Sequence, residues 1–138
     1  MALIEPLLPH TDCFMPSEEE AMTLSGLTDF DAIADFLLEK GIGCVILTLG
    51  QAEALYRHCD GTRFRVPAYD INVVCTCGCG DCFNGGFATG LYLGMPPLDC
   101  VRLAQASSAQ NAMGLGSQAV VRSLMATLDF VERTPTKS

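Results

Sequence analysis

Basic residues are scarce in this 138-residue chain. Eight Lys and Arg stand against sixteen Asp and Glu, for a formal net charge of −8 and a pI near 4.5. No basic surface exists to neutralise the phosphates of a nucleic acid, which makes DNA and RNA poor candidates as partners. Charge of either sign is low, 17% of residues against 49% apolar, and mean hydropathy is +0.31. That is the reverse of a disordered composition. No stretch approaches the ~20 apolar residues of a membrane span. The opening MALIEPLLPH lacks a basic segment ahead of it and is interrupted by Glu5, Pro6 and Pro9, so it does not read as a secretory signal. The expected compartment is cytoplasmic, where thiols stay reduced. Internal repeats and low-complexity linkers are missing as well. The two histidines, His10 and His58, have no partner pattern and read as surface residues.

The length suits one domain of ~100–200 residues, read as 1–138 with a loose tail over 131–138. Ser17 with Glu20 three residues on is a capping-box signature, opening a helix through about Leu24. A second helix is expected from Thr28 or Asp29, with Ile33, Phe36 and Leu37 on one face and a stop at Gly41. The near-continuous apolar run 44–49 reads as a strand covered on both faces in a parallel sheet. Asp60-Gly61, between 54–59 and 62–66, predicts a two-residue type I′ hairpin turn. A further strand is expected over 71–74. Helices follow after Asp81 to about Leu93, with Phe83, Phe87 and Leu91 on one face, and over 98–113. A last helix from Ser117 carries Val120, Val121, Leu124, Met125, Leu128 and Val131 as a core-facing stripe. The fold class is α/β.

Four of the eight cysteines, Cys75, Cys77, Cys79 and Cys82, crowd into eight residues between the expected strand and helix. Glycines in the same segment let the N–H groups of Gly78, Cys79 and Gly80 converge with the first helical turn, which makes an anion site supported by the helix dipole. Asp81 stands at its edge. A carboxylate there is a poor phosphate ligand, but it suits proton removal from a hydroxyl that attacks a phosphate.

This segment resembles the signature of the ribokinase-like (PfkB) carbohydrate kinases, Asp-Thr-x-Gly-Ala-Gly-Asp-x-Phe followed by a Gly-Gly helix. Thr76, Gly78, Gly80, Asp81, Phe83, Asn84, Gly85, Gly86 and Phe87 match it in register. The run 16–21 is similar to the family's Pro-Asn-x-x-Glu-Ala segment, Thr48-Leu49-Gly50 to its phosphate-side strand end, and 98–116 to the helix and loop near the adenine. The resemblance spans roughly residues 9–131. It implies a Rossmann-like three-layer α/β/α domain of ribokinase-like fold, lacking the N-terminal half and lid, and ATP-dependent phosphoryl transfer to a sugar-type hydroxyl. It implies Asp81 as catalytic base, Gly78, Cys79 and Gly80 as the hole for the γ-phosphoryl, Gly50 beside the nucleotide phosphates, and Glu20 as a partner, through water, of Mg²⁺. It also implies a missing-half partner chain or a homo-oligomer, sealed along 44–49 or 71–74. Three positions depart from the pattern. Cys75 stands where the family has Asp, Ser17 where it has Asn, and Glu53, in place of a glycine, puts negative charge near the nucleotide.

The residues leave other readings open. Asp81 also suits a helix cap, and the Ser17 box alone accounts for Glu20. The four clustered thiols suit a metal-binding or redox module, although their spacing is unlike the Cys-x-x-Cys pairs of zinc sites. A catalytically silent nucleotide-binding or scaffold fragment is the third reading.

Overall fold

The structure is a computed structural model that describes every residue except 2, 119 and 121. Where the sequence reads as one domain, the contacts divide the chain into two compact units, Met1–Arg65 and Val66–Ser138.

The first unit opens with a short 3-10 helix, Glu5–His10, and strand β1, Cys13–Phe14. Helix α1 (Glu18–Ser25) begins as its sequence demands. Ser17 Oγ accepts from the Glu20 N–H, and the Glu20 carboxylate accepts from the Ser17 N–H, a complete capping box. Helix α2 (Phe30–Glu39) starts at Asp29, whose side chain accepts from the Ala32 N–H at 2.7 Å. Strand β2 (Cys44–Leu49) then lies between β1 and β3 (Glu53–His58), with β4 (Arg63–Pro67) completing the order β1-β2-β3-β4.

The sheet is mixed, which corrects the parallel sheet expected for 44–49. Cys44 pairs with Cys13 in parallel and with His58 antiparallel. Burial along β2 is nearly complete, so the double-sided apolar run is a true interior strand. Val45, Leu47 and Leu49 join Ile33, Ala34 and Leu37 of α2 and Ala21 of α1 in one core. Each fully buried aliphatic side chain there contributes about 1.5–3 kcal/mol. The seam proposed along 44–49 is ruled out, because both of its edges are already paired.

The hairpin turn also differs from expectation. A type I′ turn needs positive φ at both central residues, and among the described residues no non-glycine has positive φ. Instead, the Gly61 N–H bonds the His58 carbonyl at 3.0 Å, with Gly61 at φ +92°, and the His58 N–H bonds the Thr62 carbonyl at 2.9 Å. The left-handed residue thus closes a longer loop.

The second unit begins with an extended segment. Residues 71–74 form no strand; the Val74 and Cys75 N–H groups both bond the Ala112 carbonyl, at 2.7 and 3.1 Å. Helix α3 (Cys79–Tyr92) packs closely on α4 (Pro97–Ala112). Gly86 and Gly90 permit it: a Cβ on Gly86 would lie 2.8 Å from Ala104 Cα, and one on Gly90 2.9 Å from Cys100 Cα. The buried face of α3 is Phe83, Gly86, Phe87 and Gly90, whereas Leu91 is 51% exposed, because the α3 stripe rotates past it.

Helix α5 (Leu124–Arg133) starts at the Ser123 cap, six residues later than expected. Leu124 and Met125 are exposed and Thr127 is buried, so the apolar stripe is only partly core; Val121 lies outside the described residues. The expected loose tail is tied down as well. The Asp70 N–H bonds the Pro135 carbonyl and the Lys137 N–H the Ala68 carbonyl, both at 2.8 Å, around a Tyr69–Thr136 bridge.

Candidate active site

The glycine-rich segment folds as a turn that feeds directly into α3. Gly78 is the residue before the helix, at φ +74°. Its Cβ position is also blocked, 2.8 Å from Ser117 Cβ and 2.9 Å from the Ser117 carbonyl oxygen. Both conditions demand glycine.

The turn corrects the expected anion hole in one respect. The Cys79 N–H bonds the Thr76 carbonyl at 3.2 Å, which closes the turn and takes that donor out of the set. The N–H groups of Gly78, Gly80 and Asp81 have no acceptor among the described residues. Gly80 and Asp81 occupy the second and third helical positions, where backbone donors lack an intrahelical partner.

Asp81 sits in the first turn of α3, exposed, and its carboxylate has neither hydrogen bond nor ion pair among the described residues. It is therefore not the helix cap that its residue type also suits; Gly78 holds that position. Of the two adjacent glycines in α3, Gly85 faces open space, whereas Gly86, together with Gly90, makes the close contact with α4.

Two buried amides escaped the sequence reading. Asn111 is fully buried and its Nδ2 donates to the Cys77 carbonyl at 2.8 Å, holding the loop, while its Oδ1 has no partner among the described residues. Gln105 Nε2 donates to the Val66 carbonyl at 2.9 Å, and its Oε1 has no donor among the described residues. Amides recurring on the apolar face of α4 were the available signal.

In the first unit, Gly50 follows β2 in the left-handed region, φ +56°. The Glu20 carboxylate accepts from the Ser17 backbone N–H and hydroxyl, which hold its pKa below the ordinary value. It is exposed and ionised, a hard oxygen donor suited to a hydrated Mg²⁺. The negative charge expected from Glu53 is offset: its carboxylate is ion-paired with Arg65, which also binds Asp31 at 2.5 Å.

The clustered thiols do not assemble into a metal centre. Among the described residues, no three or more His, Cys, Asp or Glu side chains are grouped to hold an ion. Cys79 Sγ points to the Ser108 carbonyl at 3.6 Å, Cys82 lines a cavity of about 300 Å³ with Thr89 and Ser107, and the Cys77 N–H approaches Cys75 Sγ at 3.4 Å. No described helix is long and apolar enough to cross a membrane.

Residues 1–123 match the pfkB family carbohydrate kinases. Ribokinase from Haemophilus influenzae is 30% identical over 135 residues, which cover 94% of this chain and 44% of that protein. Cytidine kinase from Thermococcus kodakarensis is 33% identical over 104 residues, covering 73% and 37% respectively. Among solved structures, a protein assigned as ribokinase II from E. coli, in complex with ATP and Mg²⁺, superposes with a TM-score of 0.87 at 29% identity over 96% of this chain and 42% of that one. Ribokinase from Thermotoga maritima gives 0.84 at 28% identity. The chain belongs to the PfkB family of carbohydrate kinases and has its ribokinase-like α/β fold. It spans less than half the length of these relatives.

Proposed function

We propose that this chain forms the nucleotide side of an ATP-dependent kinase that phosphorylates a hydroxyl of a sugar or sugar-like substrate. The observation that carries the reading is the unpartnered Asp81 carboxylate in the same helical turn as the open Gly80 and Asp81 N–H groups. The donors suit the transferring phosphoryl, and the acid suits the proton of the attacking hydroxyl. Preorganised donors of this type contribute roughly 2.7–4 kcal/mol each in an oxyanion hole. Gly78 holds the turn that aims them. Gly50, with open space around its Cα, offers a close backbone approach to nucleotide phosphates. Mg²⁺, when bound with the nucleotide, neutralises phosphate charge; Glu20 would hold it through water.

By the family resemblance, most sugar contacts would come from the part of the relatives that this chain does not cover. Edge strand β1 has only β2 beside it among the described residues, and such an edge invites a further strand. A partner half or a second copy joined there completes the sheet. Kinetic assay of the chain together with its completing half tests the proposal. Asp81→Asn should lower kcat by at least about 100-fold, the lower range for a positioned base, with MgATP affinity nearly unchanged. Equal kcat would remove Asp81 from the chemistry. Absence of MgATP binding by calorimetry would sink the nucleotide assignment.

A further inference from the structure

The surroundings of the eight cysteines differ sharply. Cys44 and Cys100 are buried, and burial pushes the Cys44 thiol up to about 12. Burial also raises Cys13 and Cys82. Cys75 is the exception. Its sulfur accepts from the Cys77 N–H at 3.4 Å, and hydrogen bonding from this backbone, with that of Gly116, holds its pKa below the ordinary value. The same sulfur, being negative, raises Cys77. Cys75 is thus the more readily ionised thiol of the pair, and Cys77 the one that holds its proton to higher pH.

The backbone keeps the two together. Val74 and Cys75 are fastened through their N–H groups to the Ala112 carbonyl, and Asn111 Nδ2 grips the Cys77 carbonyl at 2.8 Å. Residues 74–77 are therefore anchored on the last turn of α4, with Cys77 exposed and Cys75 half-buried. The neighbouring Cys79 thiol is turned toward the Ser108 carbonyl instead.

We propose that Cys75 and Cys77 form a reactive dithiol that exchanges with low-molecular-weight disulfides and closes to an internal Cys75–Cys77 disulfide. The Cys75 thiolate attacks one sulfur of the small disulfide, forming a mixed disulfide and releasing one thiolate. The Cys77 thiol then attacks the Cys75 sulfur, giving up its proton to the second departing thiolate. The protein loses two electrons and the small disulfide gains them. The bridge ties the residues immediately ahead of Gly78, so it is a redox mark on the loop that opens the candidate site. The proposal does not depend on nucleotide binding.

The test is incubation of the native chain with oxidised glutathione, followed by alkylation and fragment mapping by mass spectrometry. The expected result is a loss of about 2 Da confined to the Cys75–Cys77 segment, reversed by dithiothreitol. Early in the reaction, Cys75 should be modified about tenfold faster than the exposed Cys59. In Cys77→Ser the reaction should halt with glutathione on Cys75. A bridge at another pair, or modification of Cys75 no faster than Cys59 in the native chain, overturns the proposal without any variant.

Discussion

Gly78 and Ser117 meet so closely that no side chain can come between them: a Cβ on Gly78 would lie 2.8 Å from Ser117 Cβ and 2.9 Å from its carbonyl oxygen. The contact joins the turn before α3 to the loop after α4, and φ +74° at Gly78 reinforces it. Gly78→Ala should therefore cost about 1–3 kcal/mol, from the left-handed backbone alone, with the clash added. Urea denaturation measures the loss, and MgATP calorimetry on the folded fraction should show weakened binding. Unchanged stability would mean that the turn relaxes at no cost.

The α3–α4 interface predicts opposite outcomes for adjacent glycines. Gly86→Ala pushes a methyl into Ala104 and Ser107 and should destabilise by about 1–3 kcal/mol. Gly85→Ala faces open space in the same helix and should stabilise by roughly 0.5–1 kcal/mol through helix propensity. Melting temperatures of the two variants should move in opposite directions.

Asn111 links the core of α4 to the loop. Asn111→Leu removes the donor from the Cys77 carbonyl and should cost about 1–3 kcal/mol for the buried acceptor left unmade. Hydrogen exchange over 74–78 should accelerate relative to α4 itself. Exchange unchanged in that loop would show that the Ala112 bonds suffice to hold it.

Ser17→Ala removes the hydroxyl half of the capping box of α1, the acceptor for the Glu20 N–H and one donor to the Glu20 carboxylate, and should cost about 1 kcal/mol. The pH dependence follows from the lowered Glu20 pKa. A carboxyl depressed on folding contributes stability above its unfolded pKa and loses it as pH falls through the folded value. The difference between wild type and variant should therefore shrink in acid, below the ordinary Glu range. Denaturation curves at pH 7 and pH 3 would show it.

Local chemistry made much of this protein readable in advance. The Ser17 box, the Asp29 cap and the unbroken apolar run 44–49 each depend on neighbours a few residues away, and each produced the element expected. The Gly78–Asp81 segment was equally legible, since turn, helix start and acid are contiguous in sequence. The segment 71–74 shows the limit: it has the composition of a strand, but the Val74 amide is claimed by the Ala112 carbonyl at the end of α4.

The sequence alone thus determined the family, the helix starts and the position of the acid, because capping, glycine turns and apolar runs act over one or two helical turns. Tertiary structure alone decided which donors of the loop stay open, which glycine carries the helix contact and which way each thiol faces. Those outcomes depend on groups brought in from distant positions: Asn111, Ser108 and Ser117 around the loop, and Cys100 and Ala104 against α3. Spacing along the chain does not encode a steric or hydrogen-bonding match between residues thirty apart; only packing brings it about.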